Sequence, residues 1–129
     1  MENLLNTRND AMLLEYIEHA LKNLKNALIC LQPNENDVMG DIERARFYIN
    51  EFIVDNDLNY YLNNSTTLTA QDIFAVKTWF NKIRHVIEFV NRQSFNPQEL
   101  QKGIPPVLND QALRAVKEKL ADAVNQKRS

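Results

Sequence analysis

The chain has 129 residues, of which 44% are apolar and 25% charged, and a net charge of −2. That is one domain's worth of residues, enough for a core without covalent staples, and the balance excludes wholesale disorder and any global pull toward nucleic acid or an anionic membrane. A single cysteine, Cys30, excludes an internal disulfide, and the longest apolar run, Ala27 to Leu31, falls far short of the ~20 residues a bilayer crossing needs.

Met1 to Asp10 lacks the basic-then-apolar order of a signal peptide, so the expectation is a soluble, cytoplasmic protein with no membrane partner. Only two glycines are present, and strand-like alternation is scarce. The fold expected is all-α.

The first helix is expected from about Arg8 to Leu31. Thr7-Arg8-Asn9-Asp10 has the form of a capping box, with Asp in place of the usual Glu. Leu14, Ile17, Leu21, Leu24, Leu28 and Leu31 alternate steps of three and four, the spacing of one helix face, with Leu13, Ala20 and Ala27 flanking it. Pro33 ends the helix, because the residue before a proline is pushed out of the helical region. Residues 33–37 are a polar connection.

The second helix begins near Asp37 or Asp41 and ends around Asp55. Its inner line is Val38, Ile42, Ala45, Ile49 and Phe52, with Ile53 alongside. Residues 57–64 carry Leu58, Tyr60, Tyr61 and Leu62 and suggest a further turn. Asn63 to Thr67 shows no pattern and is expected to be a loop.

The third helix has the clearest start. Thr69 is the N-cap, Asp72 completes the box and Leu68 can staple onto Ile73. Its apolar line is Ile73, Val76, Phe80, Ile83, Ile87 and Val90. Trp79 and Val86 widen that line to roughly 140° of the surface at about 100° per residue. So wide a stripe predicts the helix that others pack around.

A short extra helix is predicted over Pro97–Lys102. Asn96 caps it, Pro97 takes its first position, Glu99 closes the box and Gly103 terminates it. Ile104-Pro105-Pro106-Val107 is then expected to be extended. The last helix runs from about Asp110 to Gln126 with Leu113, Val116, Leu120 and Val124 inward, and Lys127 and Arg128 suit the negative end of its dipole. Four helices with modest connections predict a four-helix bundle-like single domain over residues 1–129.

His19 lies about 200° around the helix from Ile17 and should be solvated. The run Glu18-His19-Ala20-Leu21-Lys22-Asn23 resembles the phosphoacceptor box of two-component histidine kinases and phosphotransfer domains. There an exposed helical His is followed by a Lys-Asn or Lys-Gly pair. The resemblance covers six residues, with Asn23 where phosphotransfer domains have glycine. It implies a histidine phosphotransfer protein in which His19 takes a phosphoryl group on an imidazole nitrogen and Lys22 steadies the charge. The same residues also fit a solvated His paired with Glu15 one turn back.

Met12, Tyr16, His19, Asn23, Asn26 and Cys30 form a second seam on the first helix, apolar at its ends and polar in the middle. A polar residue at a seam position can set register or oligomeric state, so Met12, Tyr16, His19, Asn23 and Cys30 are a candidate partner interface. An ordinary exposed face is the alternative.

Charge is unevenly spread. The second helix and its flanks carry Glu35, Asp37, Asp41, Glu43, Glu51, Asp55 and Asp57 against Arg44 and Arg46. The third helix carries Lys77, Arg84, His85 and Arg92 on one side, interrupted by Glu88. These four are a candidate basic patch for phosphate contact, as in a nucleic-acid-associated subunit. They equally suit an acidic face on another subunit. Phe47, Val54, Phe74 and Phe89 fall off their helices' inner lines and suggest covered surface.

Enzyme patterns are missing. No Glu-x-x-His pair supports a di-iron site, two histidines and one cysteine give no zinc motif, and no glycine-rich loop cradles phosphate. Glu15 and Glu18 form one Glu-x-x-Glu pair, as in helical nucleotide pyrophosphohydrolases, but Glu51 and Asp55 are spaced four and supply no second pair. The Arg-x4–6-His signature of small helical ribonucleases is absent. The expectation is therefore a non-enzymatic interaction module with no cofactor and no metal: an adaptor, regulator or assembly subunit that binds a protein partner or its own copy.

Overall fold

In the computed structural model the described residues, 2–32, 38–51, 56–92 and 94–128, form six α-helices and no strand. Side chains are described for residues 8–32, 40–51, 58–92 and 94–126. The helices are α1 (Glu2–Cys30), α2 (Val38–Asn50), α3 (Asn56–Asn63), α4 (Ala70–Asn91), α5 (Pro97–Leu108) and α6 (Gln111–Arg128). No helix among the described residues is long and apolar enough to cross a membrane. Pro33, Phe52, Ile53, Val54 and Asp55 lie outside the described residues, as do the side chains of Val38, Lys127 and Arg128.

The chain divides into two compact units. The first comprises Met1–His19, Val54–Phe80 and Asp110–Ser129, and the second Ala20–Ile53 and Asn81–Asn109. α1 and α4 contribute to both, α3 and α6 to the first, and α2 and α5 to the second, so each unit draws on four helices.

In the first unit Trp79 is completely buried. Its ring meets Phe80 edge to face, with centroids 4.9 Å apart and an interplanar angle of 83°. Leu13 and Ile17 of α1, Leu58 and Leu62 of α3, Val76 of α4 and Leu113, Val116, Leu120 and Val124 of α6 are buried as well. The inward positions expected for the last helix are all present. α6 also starts as its sequence suggests, with the Leu113 amide donating to Asp110 Oδ1 at 3.0 Å.

The box that opens α4 is formed on both sides. The Thr69 amide donates to Asp72 Oδ2 at 3.0 Å, and the Asp72 amide to Thr69 Oγ1 at 3.1 Å. The same carboxylate oxygen accepts from Lys119 Nζ of α6 at 2.7 Å. The charge-assisted bond from Lys119, followed by the Thr69 amide, holds the Asp72 carboxyl below its ordinary value of 3.8.

α1 departs from its expected start. It begins at Glu2 rather than near Arg8. Asp10 does not close a capping box: its side chain is fully buried and bonded to Thr67. The buried line of α1 is also turned from the leucine stripe. Asp10, Leu13, Ile17, Ala20, Leu24 and Ala27 are buried, whereas Leu14, Leu21, Leu28 and Leu31 are half-buried. The two lines share Ile17 and Leu24. Leu13, Ala20 and Ala27, which flank the leucine stripe, are enclosed, and Leu14, Leu21, Leu28 and Leu31 sit at the sides.

In the second unit α2 buries Ala45 and Ile49, α4 buries Ile83 and Val90, and α5 buries Leu100, Ile104 and Val107. Asn96 caps α5, its Oδ1 accepting from the Gln98 amide at 2.9 Å, and Pro97 opens the helix.

Gly103 does not end that helix, and Ile104 to Val107 is not extended. α5 continues through Pro105 and Pro106 to Leu108. No described glycine or other residue has positive φ, so Gly103 is not a left-handed cap. The cap is Asn109, whose amide and Nδ2 both donate to Pro105 O at 3.0 Å. A proline inside a helix costs about 3 kcal/mol. Burying Ile104 and Val107 contributes about 1.5–3 kcal/mol each, which offsets much of that cost.

Two consequences are measurable. A Cβ added at Gly103 meets nothing within 4 Å, so Gly103→Ala should stabilise the protein by about 0.4–1 kcal/mol in urea unfolding; a loss would indicate a left-handed cap instead. Because the Asp72 carboxyl is lowered in the fold, its contribution is present above pH ~3.8 and lost as pH falls through the folded value. Asp72→Asn should therefore lower stability near neutrality and flatten the acid limb of a stability–pH curve.

Candidate functional site

The segment joining α3 to α4, expected to be an unpatterned loop, is held by alternating hydroxyls. Ser65 Oγ accepts from the amides of Thr67 and Leu68 at 3.3 and 3.2 Å. Thr67 Oγ1 donates to Asp10 Oδ2 at 2.6 Å. Thr69 then caps α4. The Ser-x-Thr-x-Thr spacing was the available signal, since hydroxyl side chains compete for nearby backbone groups in turns. Its partner on α1, 57 residues away, carried no local signal.

Asp10 is the one described side chain whose buried oxygen, Oδ1, has no hydrogen-bond partner. Thr67 is thus its principal polar contact among the described residues. The pair is a point of structural commitment within the first unit, where a carboxylate is enclosed to hold the entry to α4.

The seam residues on α1 fall in different environments. Met12, Tyr16 and Cys30 are half-buried, His19 is exposed and Asn23 is buried. Met12, Tyr16 and His19 belong to the first unit, and Asn23 and Cys30 to the second. In the box around His19, Lys22 is exposed like the histidine, but Asn23 points inward at 7% exposure. Glu18 lies 3.9 Å from Lys117 Nζ.

Lys77, Arg84, His85 and Arg92 are all exposed. Lys77 belongs to the first unit and the other three to the second. Glu88 interrupts the row, with its Oε2 3.8 Å from His85 Nδ1.

His85 also borders a groove within the second unit that sequence reasoning missed. Its lining is His85, Val86 and Phe89 of α4 with Glu99, Leu100 and Gly103 of α5, around a volume of about 250 Å3. The Phe89 ring is met edge to face by Phe95, with centroids 6.2 Å apart. Phe89, expected off the inner line, is therefore partly covered by the chain itself.

Four large apolar side chains remain on the surface among the described residues. They are Tyr60 and Phe74 in the first unit and Ile29 and Phe47 in the second. Phe74 is the most exposed, at 71%. No group of three or more His, Cys, Asp or Glu side chains among the described residues is placed to hold a metal ion. Compared with protein-family models, curated proteins and solved structures, the chain matches none.

The Asp10–Thr67 pair can be tested directly. Thr67→Val should cost about 1–3 kcal/mol, because it leaves a buried carboxylate without its donor. In an Asp10→Ala background the same change should cost much less, as read from a double-mutant cycle in urea.

Proposed function

We propose that the chain is a non-enzymatic helical interaction module, an adaptor, regulator or subunit of a larger assembly, whose work is to bind protein. The observation that carries this reading is Phe74. On α4 the side chains of Val76, Trp79 and Phe80 are buried, while Phe74, 71% exposed, stands in water. A phenyl group left there forgoes about 1.5–3 kcal/mol of burial. A partner that covers it recovers that free energy.

Two features add support. Ile29, Phe47 and Tyr60 are similarly exposed. Met12, Tyr16 and Cys30 on the α1 seam are half-buried, as residues at the edge of a docking surface would be. Four-helix bundle-like packing belongs to the same proposal, as the rigid scaffold for such a surface.

The test is solution mass by light scattering together with affinity capture. A complex of fixed stoichiometry, with itself or with another protein, is expected, and Phe74→Asp should weaken it. A chain that stays monomeric and retains nothing above control would remove the reading. Retention on DNA or RNA that falls steeply with salt would replace it with a nucleic-acid function.

A further inference from the structure

We infer that the second unit carries a self-association surface, in which the outward face of α2 from one copy of this chain meets the outward face of α1 from another, with Phe47 on Ile29. The inference rests on the interaction-module reading and gives it a partner. Within the second unit α1 contributes the stretch from Ala20 to Cys30. That stretch buries Ala20, Asn23, Leu24 and Ala27 and exposes Lys22, Lys25 and Ile29. At about 100° per residue the three exposed residues fall within about 60° of the helix surface, and Ile29 lies between the two lysines around the axis. The stretch has no acidic residue. α2 repeats this arrangement with the opposite charge. It buries Ala45 and Ile49, and Phe47 stands on the other side, exposed together with Glu43 and Glu51. Those three fall within about 80°, with Phe47 between the two glutamates. Glu51 keeps the helical turn, its amide donating to Phe47 O at 3.1 Å.

Charge and register together pick the occupant. Lys22, Lys25, Glu43 and Glu51 form no ion pair among the described residues. The cations on α2 do not cancel its acidic face. Arg44, at the edge of that face, is held by Asp41 at 3.1 Å and by Gly40 O at 3.2 Å, and Arg46 is half-buried, about 100° around the helix from Phe47. Lys25 is four residues from Ile29, and Glu43 and Glu51 are each four residues from Phe47. At 1.5 Å per residue each charge therefore lies about 6 Å along its axis from the apolar side chain. Seating Phe47 on Ile29 brings a glutamate opposite Lys25 whichever way the two helices run. A polyanion would answer the lysines of α1 and be repelled by α2, whereas a second copy answers both faces. Because the faces differ, each contact takes α1 from one copy and α2 from the other.

Sedimentation equilibrium of the full-length chain over a concentration series tests this. The wild type should self-associate, and less tightly at about 1 M salt than at about 0.1 M. Phe47→Asp should weaken association by roughly 30-fold or more, the size of an aromatic hot-spot loss. Lys25→Glu sets carboxylate against carboxylate and should weaken it several-fold. Arg92→Glu, the same change of net charge at an exposed residue of neither face, should associate as the wild type does. A chain with Lys22→Glu and Lys25→Glu on α1 and Glu43→Lys and Glu51→Lys on α2 keeps the net charge and swaps the two faces, so it should associate again. Recovery in the swapped chain also shows that these substitutions leave the fold intact. A wild type that stays monomeric, a Lys25→Glu chain no weaker than Arg92→Glu, or a swapped chain that does not recover would each overturn the contact. A monomeric wild type that captures a different protein overturns this inference while leaving the interaction-module reading standing, and one that captures nothing removes both.

Discussion

The burial of Trp79 is the constraint on which the first unit depends. An indole of 150–250 Å2 at about 25 cal/mol per Å2 contributes about 4–6 kcal/mol, a large share of the 5–15 kcal/mol by which domains are stable. That contribution requires α4 to be held at a fixed rotation. The Thr69–Asp72 box fixes where α4 begins, and Lys119 ties the box to α6. The Asp10–Thr67 bond ties the preceding turn to α1. Four short polar contacts near one helix end thus support the burial of the largest side chain in the unit.

The parts of the fold legible in the sequence are those with local causes. The α4 box and the Asn96 cap join residues two or three apart. The inward positions of α6 follow from spacing alone, as do Val76, Phe80, Ile83 and Val90 of α4, whereas Ile73 and Ile87 of the same line are only half-buried. All-α content was legible for the same reason. What was not legible depends on partners distant in sequence. Asp10 carries a capping pattern, but Thr67 claims it from 57 residues away. On α1, hydrophobicity favours the leucine line, whereas close packing places Ala20 and Ala27 inside. A stripe read by hydrophobicity counts large side chains and misses small ones at points of close approach.

The candidate site divides in the same way. Exposure of His19 was legible, since helical spacing sets it away from the apolar line, and it is exposed. The inward turn of Asn23 was not, because its seam was judged against the leucine stripe and the buried line is rotated from it. The groove was illegible for a different reason: it forms where α5 lies beside α4, and no local pattern joins His85, Val86 and Phe89 to Glu99, Leu100 and Gly103.

The continuation of α5 past Gly103 links the fold to the surface. Glycine in a helix interior costs roughly 0.5–1 kcal/mol relative to alanine, and no neighbour requires its small size, because a Cβ at Gly103 would stand in open space. Neither packing nor a left-handed turn accounts for it. Local rules are commonly broken where a site needs the exception. The same helix accepts two prolines and buries Ile104 and Val107 on either side of them. Phe74 presents the converse anomaly, an apolar side chain with no wall to meet. Both are departures from local rules that contacts among the described residues leave unexplained.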